Sequence, residues 1–139
     1  MQDREIPLDA ANTDAIVTAA RTGLGDDLRS VIGFTRDSFD VLYTRSDLYD
    51  ETTDVRAVKR PLVELERVGF DEIPIRTSTG SGTTADAIGP YSFTVRFHER
   101  GFLARVIEDD VGVLLTTDEL DVRAFEEAAS AVRRLLRNA

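Results

Sequence analysis

Three β-rich runs near the end of the chain constrain its fold more than any other feature of the sequence. They cover residues 91–98, 102–107 and 111–116, and three residues separate each run from the next. A parallel connection needs a crossover of a dozen or more residues, whereas a tight turn joins an antiparallel pair. The sequence therefore predicts an antiparallel meander of three strands.

A helix is predicted directly after the meander. It begins near Glu119 or Val122 and ends near Arg137, with acidic residues early and arginines late, as the helix dipole favours. The residues of its apolar face recur at helical spacing: Val122, Phe125, Ala129, Val132 and Leu136. Such an amphipathic helix can cover one face of a sheet.

In the first part of the chain, the sequence predicts one helix and one further pair of strands. Apolar and small residues at helical spacing indicate a helix from Asp9 to Arg21, with Gly23 as its stop. Residues 28–34 and 39–44 are β-rich runs on either side of a short polar segment. This arrangement is typical of a hairpin.

A second helix is predicted over residues 53–68, where apolar residues follow steps of three and four. Pro61 lies inside this segment, so either the helix kinks there or it consists of two shorter helices. Residues 71–90 follow as an internal loop. Because residues 77–84 are polar and rich in glycine, we expect this loop to be flexible.

Together these elements predict one domain, residues 1–139, of the α+β class. The order α-β-β-α-β-β-β-α indicates a five-stranded antiparallel sheet flanked by three helices. Continuous apolar runs at residues 31–34 and 111–115 are typical of interior strands covered on both faces. Residues Tyr91, Phe93 and Val95 alternate with polar residues, as in an edge strand with one face in water.

This order of elements, with central first and last strands and a wet third strand, resembles the roadblock/LC7 and wider profilin-like group. The resemblance spans residues 9–137. It implies a homodimer that extends its sheet through the third strand, here Tyr91, Phe93 and Val95, and that pairs its second helices. It also implies a platform or regulator for small GTPases. Residues 25–31 followed by residues 39–43 resemble small halophilic archaeal proteins, a family with no known activity to carry over.

The charge of the chain limits the kinds of environment and partner that suit it. It has 26 acidic residues against 17 Lys and Arg, a formal net charge of -9, and Lys59 is its one lysine. Nucleic-acid binding is not expected, because it needs a basic face that displaces counterions. A composition with many carboxylates, and with arginine in place of lysine, resembles that of cytoplasmic proteins of salt-in halophilic archaea. An acidic protein from a mesophile is the alternative.

The sequence predicts a cytoplasmic protein without a membrane contact. Residues 1–7 lack the basic start and the apolar core of a signal peptide. The apolar runs of the chain are all shorter than a membrane span.

Few residues suit catalysis. The chain has no cysteine, and His98, its one histidine, has no nucleophile or acid at a recognisable spacing. The acidic pairs lack the spacing of a calcium or zinc site, and the glycine-rich residues 80–84 lack the lysine of a Walker loop. We therefore expect no enzyme activity, no metal and no cofactor.

The remaining candidate contacts lie on and near the predicted edge strand. Arg96 and His98 occupy its wet face, with Arg76 as a possible neighbour, and these three are candidate partner or anion contacts. We expect a non-enzymatic interaction or regulatory module that is homodimeric and binds a further, unknown protein. The alternative is a small-molecule sensor with an apolar pocket between sheet and helices, built from the aromatic residues Phe93, Phe97 and Phe102.

Overall fold

A computed structural model describes residues 6–79 and 88–139 of the chain. The helices are α1 (Ala10–Leu24), α2 (Val55–Glu66), α3 (Gly69–Thr79) and α4 (Val122–Arg137). The strands are β1 (Leu28–Phe34), β2 (Phe39–Thr44), β3 (Thr94–His98), β4 (Gly101–Glu108) and β5 (Val111–Thr117). A short 3₁₀ helix, Gly25–Asp27, joins α1 to β1.

The five strands form one antiparallel sheet in the order β2-β1-β5-β4-β3. This confirms the predicted fold class, the interior positions of β1 and β5 and the edge position of β3. The strands β1 and β5 are far apart in sequence, yet they pair from Leu28 with Thr117 to Phe34 with Gly112. That pairing unites the hairpin and the meander in one sheet.

Helices cover both faces of the sheet, which explains why β1 and β5 are apolar on both sides. On one face, Ile16 of α1 and Phe125 of α4 belong to the larger buried cluster. On the other face, Val63 of α2 and Phe70 of α3 pack in a second cluster with Phe34 of β1. The molecule therefore has three layers, with the sheet in the middle.

Three helices begin at an aspartate that caps the first turn. The side chains of Asp9, Asp54 and Asp121 accept hydrogen bonds from backbone N–H groups three residues further on. Each carboxylate satisfies a donor that has no partner within the helix. For the last helix this cap decides between the two predicted starts, because α4 begins at Val122.

Helix α1 runs past Gly23, so the prediction that the helix stops there is wrong. A Cβ at Gly23 would lie 3.1 Å from the Cβ of Ala128 in α4. Glycine at this position therefore permits the close approach of two helices. The helix ends at Leu24, where Gly25 has a φ of 59° and donates its N–H to the carbonyl of Arg21.

The second helical region consists of two helices, and the break between them is not at Pro61. Helix α2 continues through Pro61, and α3 begins at Gly69 after a turn at Arg67 and Val68. Pro61 lacks the N–H that would reach the carbonyl of Ala57. Since both residues are on the exposed side of the helix, water can solvate that carbonyl.

The predicted loop of residues 71–90 is wrong in its first part, because residues 71–79 belong to α3. Phe70 and Ile73 of this helix pack against the core, and that burial stabilises a segment with weak helix propensity. Residues 80–87, which include the glycine-rich residues 80–84, lie outside the described residues. Residues 88–93 have no helix or strand, so β3 begins at Thr94, later than predicted.

Candidate interaction surface

Strand β3 forms one edge of the sheet. Among the strands that the structure describes, β3 pairs with β4 alone, from Thr94 opposite Arg105 to His98 opposite Gly101. An edge strand presents backbone N–H and C=O groups to which another strand can bind. Of the residues predicted for this edge, Val95 lies within β3, whereas Tyr91 and Phe93 precede it.

The side chains of the edge strand divide between core and solvent. Phe93 and Val95 are half-buried against the cluster beneath α1 and α4. Phe97 is 73% exposed and meets the ring of Phe102 edge to face, with centroids 5.1 Å apart. A large apolar ring is thus open to solvent beside the free edge.

Helix α2 presents a second apolar surface, which we call the α2 stripe: Val58, Leu62, Leu65 and Val68. Val58, Leu65 and Val68 are 50%, 71% and 51% exposed, and Leu62 is half-buried. A spacing of three or four residues places Val58, Leu62 and Leu65 on one side of the helix, and Val68 follows in the turn after it. In a chain with a charge of -9, an apolar stripe on the surface is a candidate protein contact.

The opposite side of α2 and the start of α3 are tied to the sheet by a buried charge. Arg105 of β4 is fully buried, and its Nη1 donates to Oε1 of Glu66 at 3.1 Å. Its Nη2 donates to Glu72 of α3 and, at 3.1 Å, to Oγ1 of Thr94. A Cβ at Gly69 would lie 2.7 Å from Cζ of Arg105, so glycine lets the guanidinium fit beneath α3.

The charges in this cluster stabilise each other. The hydrogen bond from Arg105 holds the pKa of Glu72 below its usual range. For Arg105, burial acts to lower the pKa, but hydrogen bonds with Glu72 and Tyr91 outweigh burial and raise it. Arg105 is therefore charged in the folded protein. Its Nε is the one fully buried side-chain nitrogen or oxygen without a hydrogen bond among the described residues.

Two of the three predicted contact residues join this cluster. Arg96 donates from Nε to Oε2 of Glu66 at 2.7 Å, and Nη2 of Arg76 lies 3.5 Å from Oε2 of Glu72. The result is an alternating chain of charges, Arg96–Glu66–Arg105–Glu72–Arg76. Since Glu66 is the last residue of α2 and Arg96 lies in β3, the C-terminal end of α2 lies near the free sheet edge.

The third predicted residue, His98, lies apart from this cluster. It lines a pocket of about 190 Å³ between α2 and the end of the sheet, together with Arg29, Lys59 and Arg100. Of the aromatic residues predicted for an apolar pocket, Phe102 lines this one, whereas Phe93 packs against the core and Phe97 is exposed.

Sequence reasoning missed Arg105, Glu66 and Glu72. Arg105 interrupts the apolar run of residues 102–107, and that interruption is a signal of a buried, paired charge. Glu66 lies seven residues after Lys59, two turns further along the same buried side of α2. Helix periodicity therefore indicates that both charges face the sheet.

Residues 6–79 and 88–139 contain no group of three His, Asp or Glu side chains that could hold a metal ion. None of the helices in those ranges has the length and apolar character needed to cross a membrane.

The sheet, its helices and its open edge form a fold similar to that of the roadblock/LC7 group. The gliding protein MglB from Thermus thermophilus is similar in structure, with a TM-score of 0.55 and 16% identity over 100% of both chains. A structure described as MglB with a tetrameric arrangement has a TM-score of 0.53 and 17% identity over 99% of this chain and 98% of that chain.

Within this fold group, the chain belongs to the family described as a domain of unknown function, DUF7522, whose model matches residues 14–137. No curated protein matches the chain.

Proposed function

We propose that this protein is a non-enzymatic interaction module that acts as a homodimer and serves as a platform or regulator for a small GTPase. The observation that carries the proposal is the open edge of β3 together with the exposed α2 stripe. An edge strand and an apolar helix stripe together suit an interface that continues the sheet and pairs two helices. The role toward a GTPase rests on resemblance to the roadblock/LC7 group.

The geometry supports self-association in particular. A two-fold dimer brings the same surface of each subunit together, so that the β3 edge meets β3 and the α2 stripe meets α2. Each surface exposes a large apolar side chain, Phe97 at the β3 edge and Leu65 in the α2 stripe. A solved neighbour with this fold is described as a tetrameric arrangement, which supports assembly between copies.

The proposal includes a cytoplasmic location in a salt-rich cell. Two copies of a chain with a formal charge of -9 repel each other in dilute buffer. In molar salt the Debye length falls to about 3 Å, and most of this repulsion disappears. The dimer should therefore be more stable in molar KCl than in dilute buffer.

Light scattering coupled to size exclusion in molar KCl tests the dimer. We expect twice the chain mass of 15.4 kDa for the wild type and the single chain mass for Leu65→Asp, because a carboxylate cannot be buried in an apolar interface. Val122→Asp is the matched control, since Val122 is also exposed but lies on α4, away from the proposed interface. A monomeric wild type at high protein concentration would contradict the proposal.

Proteins that copurify in molar KCl test the partner. We expect a small GTPase to be enriched with the wild type and to be identified by mass spectrometry. Purified GTPase should then bind the wild type and Val122→Asp equally well. If no GTPase binds the dimeric wild type, the regulatory role is wrong although the dimer stands.

A further inference from the structure

We propose that the pocket at the end of β3 binds a phosphate group, either inorganic phosphate or a small phosphomonoester. Its basic residues are Arg29, Lys59, His98 and Arg100, and we call it the basic pocket. The hydroxyl-bearing residues Thr116 and Thr117 lie in the same lining. This inference is independent of the proposed dimer and GTPase.

The charge of the basic pocket is opposite to that of the chain. Acidic residues outnumber lysine and arginine by 26 to 17, yet no acid is among the described residues that line the pocket. The lining contains both the one lysine and the one histidine of the chain. Adaptation of the whole surface to salt would not produce this local reversal of charge, which favours a bound anion.

The position of Lys59 is the strongest single observation in favour of an anion site. This residue is only 7% exposed, and within the part of the chain that the structure describes its ammonium has no hydrogen bond and no ion pair. Its one described interaction is with the ring of Tyr49, whose centroid lies 5.6 Å from Nζ. Its ammonium nitrogen is not among the fully buried atoms that lack a hydrogen bond, so the stem of Lys59 is buried while its charged end reaches the pocket. An anion in the pocket would be the partner of Lys59.

The backbone around the pocket brings a second cation close to the turn between β3 and β4. A Cβ at Gly101 would lie 2.6 Å from the carbonyl oxygen of Thr117 and 3.8 Å from Cδ of Arg29. Arg29 donates from Nη1 to Asp118 at 2.8 Å, but Asp118 is shared with Arg45, which binds it at 2.6 Å. Arg45 also binds Asp47 at 2.6 Å, so two carboxylates balance these two guanidiniums and the excess positive charge of the basic pocket comes from Lys59 and Arg100.

The size and charge of the pocket select the ligand. Its volume of about 190 Å³ is below the range of about 300–1,000 Å³ found for pockets that enclose drug-sized ligands. It therefore suits a phosphate group better than a nucleotide. The guanidiniums of two arginines and the ammonium of a lysine match a dianion better than a single carboxylate.

An NMR titration of the full-length chain at constant ionic strength tests this inference. The probes are inorganic phosphate, glycerol phosphate and acetate. We expect saturable shifts in the backbone amide signals of Gly101 and Lys59, with phosphate or glycerol phosphate binding at least about tenfold more tightly than acetate. The tighter of the two phosphates identifies the source of the phosphate group.

Variants distinguish phosphate binding at a specific site from general electrostatic attraction of an anion to the protein. Lys59→Gln should weaken phosphate binding about tenfold or more, because it removes a charge-assisted hydrogen bond. Arg100→Gln is an exposed second variant that should also weaken binding if Lys59→Gln proves unfolded in its NMR spectrum. Arg123→Gln, exposed on α4, removes the same charge outside the pocket and should leave binding within about twofold.

Three results would overturn the inference. They are an absence of saturable shifts with either phosphate, acetate binding as tight as phosphate binding, and an equal loss in Arg123→Gln and in the pocket variants.

Discussion

Replacing Arg105 with methionine is expected to lower the free energy of unfolding by about 3–5 kcal/mol. Arg105 is fully buried, and its guanidinium binds the carboxylates of Glu66 and Glu72. Methionine keeps most of the apolar stem but removes the positive charge. Glu66 then faces an interior that cannot replace the lost hydrogen bond.

The surroundings of the two carboxylates decide where in this range the loss falls. The side chain of Glu66 is 4% exposed, and it retains one partner, Arg96, at 2.7 Å. The side chain of Glu72 is 25% exposed, so water can solvate it in part. We therefore expect a loss near 3 kcal/mol, which is large beside the stability of about 5–15 kcal/mol of a typical domain.

Urea denaturation at constant KCl concentration, followed by circular dichroism, measures this loss. The matched control is Arg96→Met, which removes a guanidinium from the same carboxylate on the neighbouring strand. Because the side chain of Arg96 is 42% exposed, the control should lose no more than about 1 kcal/mol. Equal losses in the two variants would refute the reasoning.

A second substitution distinguishes two causes of the lost stability, the loss of a charge partner for a buried carboxylate and a general packing defect. Adding Glu66→Leu to Arg105→Met should restore part of the lost stability, because it removes the more deeply buried of the two carboxylates that lose Arg105. If the double variant is less stable than Arg105→Met alone, packing rather than unpaired charge explains the loss.

Two further predictions concern solution conditions. Hydrogen bonds from Arg105 hold the pKa of Glu72 low, and those from Arg45 and Arg29 hold the pKa of Asp118 low. As the pH falls through about 4, the unfolded chain binds protons before the folded chain does, so the free energy of unfolding should fall. Above that range the free energy of unfolding should stay constant. Thermal unfolding at a series of pH values checks this, and a midpoint that rises on acidification would contradict it. The charge of -9 predicts that KCl stabilises the fold into the molar range. Circular dichroism against KCl measures this effect, and indifference to salt would contradict it.

Much of the fold could be predicted because its signals are local. Alternation along β3, continuous apolar runs in β1 and β5, and turns of two to four residues are all properties of neighbouring residues. Chain connectivity then decides which strands can pair through short turns. The prediction failed for α3, since its helix depends on burial of Phe70 and Ile73 rather than on the propensity of its sequence.

The glycines of α1 illustrate the limit of local signals. Gly23 and Gly25 both follow the predicted apolar face, and either could end a helix. Only the packing of α1 against Ala128 requires glycine at position 23, and only the backbone at Gly25 takes a positive φ. A residue type with two physical uses cannot be assigned to one of them until its spatial neighbours are known.

The sequence alone determined the class of fold, the edge position of β3 and the net charge, because periodicity and composition need no knowledge of distant contacts. The tertiary structure alone decided which charges meet. Arg105 binds Glu66 across 39 residues of sequence and Glu72 across 33, and Lys59 shares a pocket with His98 and Arg100. The energy of such pairs depends on distance and burial in space. Neither quantity can be obtained from sequence separation, which is why both charged clusters became visible only in the folded chain.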